Sequence, residues 1–97
     1  MGDQSGSAHA DLALAKAALR GERAARIQLL TRALPHLRAV ARAMMGANAE
    51  AEDATQTAAL RVLEKLESYR GDARFEAWSR RVATRVCIDL MRTHKRR

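Results

Sequence analysis

The sequence predicts an all-α protein: a compact bundle of about four helices, with a kinked second helix and a loop before a basic C-terminal helix. Hydrophobic residues make up 47% of the 97 residues, whereas aromatic residues make up only 3%. This composition supplies helix formers and few of the residues that strands prefer. Apolar residues also recur at steps of three and four, as they do along one face of a helix. The length fits one domain.

The first helix is predicted from about Ala10 to Leu19. Residues 1–9 are small and polar and lack an apolar signal core, so we expect a disordered leader there and the folded domain over residues 10–97. Asp11 falls in the opening turn, where a carboxylate suits the helix dipole. The Arg20-Gly21 pair ends this helix.

The second helix is predicted from about Glu22 to Met45. Its spacing predicts a buried stripe of larger apolar residues: Ile27, Leu30, Leu34, Leu37, Val40, Ala41 and Met44. Pro35 removes one backbone donor inside the helix and therefore predicts a kink. Gly46 is well suited to end the helix.

The third helix follows residues 47–48 and is predicted from about Ala49 to Leu66. Three acidic residues crowd its first turns, as the helix dipole favours: Glu50, Glu52 and Asp53. Its predicted buried stripe contains Ala59, Val62, Leu63 and Leu66. A loop over residues 67–72 separates it from the last helix.

The fourth helix is predicted from about Ala73 to His94, with Asp72 as its N-cap. At about 100° per residue, five arginines fall within a stripe about 60° wide: Arg74, Arg81, Arg85, Arg92 and Arg96. The neighbouring face is apolar and predicts the core side, with Phe75, Val82, Ala83, Val86 and Leu90. Trp78 lies on the border between the two faces.

The basic residues are concentrated near the C-terminus. Residues 1–67 carry nine Lys/Arg against eight Asp/Glu, a net charge of +1, whereas residues 68–97 carry nine against three, a net charge of +6. This asymmetry and the arginine stripe indicate a polyanionic partner such as nucleic acid. The alternative is a solvated basic segment.

No catalytic constellation is recognisable. The three histidines are far apart, no Cys-x-x-Cys pair exists, and no glycine-rich phosphate loop is present. Cys87, the single cysteine, lies among apolar residues and indicates a core position and a reducing compartment. The sequence contains no run of 18 apolar residues, so it predicts no membrane span. The sequence therefore predicts a protein that is not an enzyme and carries no cofactor or metal.

Four stretches, in order, resemble region 2 of bacterial sigma factors of the sigma-70 family, in the extracytoplasmic-function group. Residues 34–42 resemble region 2.1, and AEDATQTAALR at residues 51–61 resembles region 2.2. The stretch SYRGDARFEAW at residues 68–78 resembles region 2.3, and residues 81–92 with the basic residues after them resemble region 2.4. The resemblance implies a sigma domain that docks on RNA polymerase core and recognises and melts the promoter −10 element.

The resemblance assigns docking to the third helix, where the family binds a coiled coil of the largest polymerase subunit. The residues implied are Asp53, Gln56, Leu60 and Arg61. Acidic and amide groups suit a basic partner. A solvated helix face is the alternative. Thr57 stands where the family usually has glutamate, and Leu60 where an aromatic is common, so the contact is expected to differ in detail.

The resemblance assigns promoter DNA, mainly the single-stranded non-template −10 element, to the loop and fourth helix. In the family the loop traps a flipped base. The DNA-binding residues implied are Tyr69, Arg70, Gly71, Asp72, Phe75, Trp78, Arg81, Arg85 and Arg92. Core packing is the alternative for Phe75 and Trp78, and Tyr69 could equally cover the core. Arg85 occupies a base-reading position where some relatives carry asparagine, so the sequence read is expected to differ.

The resemblance further implies a cytoplasmic, nucleoid-associated bacterial protein and an anti-sigma factor as a further partner. The family's second domain, sigma region 4, is not present in these 97 residues. Two other functions remain open at this point. One is a helical protein that binds nucleic acid without sequence preference through its arginine face, and the other is a helical protein-interaction module.

Overall fold

The computed structural model describes residues 4–95 and contains four α-helices. These are α1 (Gln4–Leu19), α2 (Arg23–Met45), α3 (Ala49–Glu64) and α4 (Phe75–Lys95), with a short 3-10 turn at Leu66–Ser68 between α3 and α4. The prediction of a compact all-α bundle of about four helices is confirmed. None of the helices within the described residues is long and apolar enough to cross a membrane.

Helix α2 is the centre of the bundle, because it packs against α1, α3 and α4. Leu29 and Leu37 of α2 are fully buried, as are Val62 of α3 and Phe75 of α4. A smaller core cluster at the far end joins α2, α3 and α4 through Ala41, Ala51, Ala54 and Cys87. The cysteine is therefore a core residue, and burial raises the pKa of its thiol.

The buried stripe of α2 differs from the predicted one. The buried residues are Ala25, Leu29, Ala33, Leu37 and Ala41, one every four positions. Ile27 is 56% exposed, and Leu30, Leu34, Val40 and Met44 are half-buried. Helix α3 repeats the pattern: Ala51, Ala54 and Ala58 are buried, while Ala59 and Leu63 are half-buried. Small side chains let the helices approach closely, so alanine holds the contact positions that a search for large apolar residues overlooks.

Most helix ends lie close to the positions predicted from the sequence. Gly46 ends α2 at a φ of 90°, and its amide donates to the Arg42 carbonyl at 2.9 Å. Asn48 caps α3, since its side chain accepts a hydrogen bond from the Ala51 amide at 3.0 Å. Helix α2 continues through Pro35, where the kink stays a prediction. Helix α3 ends at Glu64, and Leu66 lies in the 3-10 turn instead.

Two helix starts were predicted wrongly. Helix α1 begins at Gln4, so residues 4–9 of the expected leader are helical, while residues 1–3 lie outside the described part of the chain. Helix α4 begins at Phe75, so Asp72 is not its N-cap. The Phe75 amide instead donates to the Asp11 carboxylate of α1 at 2.8 Å. A carboxylate distant in sequence thus performs the capping that a local residue was expected to perform.

Candidate DNA and polymerase surfaces

The aromatic residues around the loop form one cluster. The Tyr69 ring meets Phe75 edge-on at 5.5 Å between centroids and lies 5.3 Å from the Trp78 ring. The Tyr69 hydroxyl donates to the Ala73 carbonyl and so closes the loop on itself. Burial is the main cause that raises the pKa of Tyr69 to about 12.

Two residues predicted to bind DNA belong to this core. Phe75 is fully buried and Tyr69 is 5% exposed, although Tyr69 contributes to the lining of a small pocket beside the loop. Both side chains therefore pack in the core in this structure, which was the alternative to a DNA-binding role. Trp78 is half-buried and is the most exposed aromatic of the cluster.

A charged cluster holds the start of α4 against α1 and α2. Arg32 of α2 donates to Asp11 at 2.7 Å and to both Glu76 oxygens at 2.9 Å. Arg74 lies 3.7 Å from the Asp11 carboxylate. Hydrogen bonding to Arg32 lowers the pKa of Glu76 to about 2, and Glu76 in turn raises the pKa of Arg32. We call Asp11, Arg32, Arg74 and Glu76 the ion hub.

Gly71 lies against α1 and is partly exposed. Its φ is 76°, a conformation that L residues with side chains rarely adopt. A Cβ there would lie 3.1 Å from the Leu12 Cβ and 3.5 Å from the Ala8 carbonyl oxygen. The close approach seen in this structure is to α1, and the role of Gly71 toward a nucleotide stays a prediction. Arg70 and Asp72, on either side, are exposed as a DNA role requires.

Two concavities lie side by side at Trp78. The larger, about 220 Å³, is the Trp78 cleft, lined by Arg61, Lys65, Ser68, Trp78, Arg81, Val82, Arg85 and Val86. The smaller, about 100 Å³, is the loop pocket, lined by Ser68, Tyr69, Arg70, Asp72, Ala73, Trp78 and Arg81. The two share Ser68, Trp78 and Arg81. The sequence missed Lys65, because the bend after α3 that turns it toward α4 was expected to be helix.

The arginine stripe of α4 is divided in the structure. Arg81, Arg85 and Arg92 are exposed, and Arg85 pairs with Asp89 at 3.5 Å. Arg81 and Arg92 form no ion pair with other described residues. Arg74 belongs to the ion hub and precedes α4, and Arg96 lies outside the described residues. Exposed Arg80, which the stripe did not include, lies 2.8 Å from the His36 ring nitrogen.

A further exposed face of the bundle presents a row along α3. Asp53, Gln56 and Leu60 are exposed at steps of three and four, and Leu60 is 63% exposed. Arg61 differs from these three. It is half-buried, pairs with Glu64 at 3.2 Å and lines the Trp78 cleft. The structure therefore brings three of the four predicted docking residues onto one face and turns the fourth toward α4.

Residues 29–97 match the sequence profile of Sigma-70 region 2. The chain belongs to this family. Sigma-70 region 2 binds core RNA polymerase and recognises and melts the promoter −10 element, and it is a non-enzymatic part of the transcription initiation machinery. A search of curated proteins and a search of solved structures each found no match.

As a sigma region 2 domain, the chain needs surfaces for a protein and for DNA, and its exposed faces on α3 and α4 differ in chemistry. The α3 row joins an apolar side chain to acidic and amide groups, whereas the α4 side joins an aromatic edge to arginines. No group of residues within the described part of the chain could hold a metal ion. The interactions available at these surfaces are stacking, hydrogen bonding and charge attraction.

Proposed function

We propose that this sigma region 2 domain holds unpaired non-template −10 DNA at the Trp78 cleft and along the α4 arginines, and docks on core polymerase through the α3 row. The observation that carries the proposal is the Trp78 cleft. It combines a partly exposed indole, an apolar floor of Val82 and Val86, and a cationic rim. This combination fits an unpaired nucleotide better than a duplex, whose bases are covered.

The energetics favour trapping of a flipped base. Removing a base from the stack costs a few kcal/mol, and stacking on an aromatic side chain returns about 1–3 kcal/mol per base. The Trp78 indole supplies the aromatic surface. Arg81 and Arg92 lie on the same side of α4 and can hold flanking phosphates, which gives an affinity that falls with salt.

The rim of the cleft also indicates which bases fit. Its charged groups are all hydrogen-bond donors: Arg61, Lys65, Arg81 and Arg85. No carboxylate among the described residues lines it, so the exocyclic amino group of adenine or cytosine finds no charged acceptor. The O6 of guanine and the O4 of thymine, which stand where adenine and cytosine carry these amino groups, do find donors. We therefore expect a keto base at the trapped position.

The docking proposal rests on the α3 row. Leu60 gives an exposed apolar contact, and Asp53 and Gln56 give groups that a basic coiled coil of the largest polymerase subunit can pair with. The same leucine offers an apolar surface that an anti-sigma factor can cover. The resemblance of residues 68–78 to region 2.3 supports the proposal that the chain belongs to the extracytoplasmic-function group. The proposed partners imply a location in the bacterial cytoplasm, at the nucleoid.

The single tryptophan makes the cleft directly measurable, because Trp78 is the chain's only indole fluorophore. Short single strands carrying guanine, thymine, adenine, cytosine or an abasic site at one position are titrated into the protein. We expect quenching and tighter binding with a keto base than with an abasic site. Arg85→Asn should reduce that preference. Ile27→Ala, which removes an exposed apolar side chain elsewhere, is the control. Equal binding of all five strands would leave a phosphate binder without a base trap.

The docking face is tested separately by co-elution with bacterial core RNA polymerase on gel filtration. Asp53→Arg should abolish co-elution while the far-ultraviolet circular dichroism stays unchanged. Glu22→Arg makes the same charge change at the turn between α1 and α2 and should co-elute normally. Loss of co-elution in both variants would show a general charge effect, and retention in both would remove α3 from the interface.

A further inference from the structure

We propose that α1 is part of the −10 recognition unit, with Asp11 as the positioning residue that fixes the shape of the loop. The loop spans residues 69–74 and ends where α4 begins. Helix α1 precedes the residues 29–97 that match the family profile. Only the expected effect on DNA binding rests on the proposed function. The contacts from which the role of Asp11 is inferred lie within the protein.

The first observation is the burial and bonding of Asp11. The residue is 3% exposed, an unusual state for a carboxylate, which is stable in the interior only when it is paired. One oxygen accepts a hydrogen bond from the Phe75 amide at 2.8 Å, and the other accepts one from the Arg32 guanidinium at 2.7 Å. The carboxylate thus caps α4 and fixes the residue at which the loop stops and the helix starts.

The second observation is that the middle of the loop rests on the same face of α1. Gly71 lies so close to Leu12 that an added Cβ would require Leu12 to shift by a few tenths of an ångström, and the same Cβ would be in van der Waals contact with the Ala8 carbonyl. Ala8, Asp11 and Leu12 are spaced by three and four residues and therefore share one helix face. Helix α1 consequently touches the loop at its middle and at its end.

The third observation is the direction in which the loop is left open. Its α1 side is filled, whereas Arg70 and Asp72 are exposed and line the loop pocket beside Trp78. Tyr69 is held from within by its bond to Ala73. A backing of this kind lowers the conformational entropy that the loop loses when a base binds. Substitution of Asp11 is therefore expected to weaken base recognition, although Asp11 does not line the loop pocket.

The test compares Asp11→Ala and Asp11→Asn with Glu52→Ala. Glu52 also binds two arginines, Arg38 at 3.2 Å and Arg42 at 3.5 Å, but it lies on α3 away from the loop. Two quantities are measured at a temperature where circular dichroism shows every variant folded. One is amide hydrogen exchange over residues 69–75, and the other is the affinity ratio between a single strand with a keto base and the same strand with an abasic site.

We expect Asp11→Ala to speed exchange over residues 69–75 and to reduce the affinity ratio by about tenfold, which corresponds to about 1.4 kcal/mol. Asp11→Asn keeps an acceptor for the Phe75 amide and should have a smaller effect on both. Glu52→Ala should change neither. The proposal is overturned if Asp11→Ala lowers stability but leaves loop exchange equal to that of Glu52→Ala.

Failure of the proposed function gives a different result. If the unaltered protein already binds the base and abasic strands equally, base trapping is wrong, and hydrogen exchange alone decides the positioning role. Leu12→Ala provides a second route, because it removes most of the side chain on which Gly71 rests and leaves the Asp11 contacts in place. If α1 backs the loop, this variant should speed amide exchange around Gly71. Exchange equal to that of the unaltered chain would contradict the contact.

Discussion

The ion hub and the exposed face of α4 use arginine in opposite ways. Arg32, at the hub, is 27% exposed and makes three hydrogen bonds to Asp11 and Glu76. Arg81, less than three helical turns along α4 from Phe75, is exposed and forms no ion pair with the described residues. The arginines of this chain thus divide by pairing: the paired Arg32 stabilises the fold, and the unpaired arginines of α4 are those proposed to bind DNA.

The largest expected effect is on the hub. Arg32→Ala leaves Asp11 buried without its main counter-charge, and we expect the free energy of unfolding to fall by about 3 kcal/mol. Urea denaturation followed by circular dichroism measures this. Arg38→Ala, which removes a more exposed partner of Glu52, is the matched control and should cost less than about 1 kcal/mol. Equal losses of unfolding free energy in the two variants would mean that the ion pairs of the hub stabilise the fold no more than the more exposed pair does.

The pH dependence of stability should separate the same two regions. The pKa of Glu76 is about 2 in the folded protein and about 4.5 in an unfolded chain, so its contribution is complete above about pH 5 and is lost as the pH falls toward 2. We expect a loss of about 2–3 kcal/mol over that range. Urea denaturation of Glu76→Gln should show a shallower decline between about pH 5 and pH 2. The same decline in both proteins would assign the acid sensitivity elsewhere.

The smallest effect on folding, and the clearest on DNA, is expected at the open face. Arg81→Ala and Arg92→Ala should change stability by less than about 0.5 kcal/mol. Each should weaken DNA binding at low salt and reduce the slope of log affinity against log salt by about one. Anisotropy titrations over a series of salt concentrations measure this. An unchanged slope would show that these arginines do not contact phosphates.

The parts of the fold that depend on residues close together in the sequence were predictable. Gly46 and the Asn48 region mark helix ends through local backbone chemistry, and the exposed arginines of α4 follow from its period. The hub was not predicted, because it joins Asp11, Arg32 and Glu76 from three helices. One signal was present. Asp11 shares a helix face with Ala8, Leu12 and Ala15, and a charge on an apolar face indicates a buried pair.

The candidate site was predictable in chemistry and less so in geometry. The sequence places Trp78 at the edge of the arginine stripe, and the structure puts it at the cleft. The helical period placed Phe75 on the core face, but it did not identify Tyr69 as a core residue, because a loop aromatic has the same pattern whether it faces in or out. The sequence analysis also did not place Lys65 near α4, because that placement depends on the end of α3 and the 3-10 turn that follows it, and it grouped Arg61 with the docking residues although the helical period puts Arg61 on a different face from Leu60.

The most direct test of the account compares two DNA ligands that share one sequence, a −10 duplex and a fork with its non-template −10 strand unpaired. Affinities are measured with the protein bound to core polymerase, for the unaltered chain and for Trp78→Ala. We expect tighter binding of the fork, and in Trp78→Ala a loss of that preference while duplex affinity stays the same. Equal affinity of the unaltered chain for fork and duplex would contradict it, and so would a fork preference that survives the loss of Trp78.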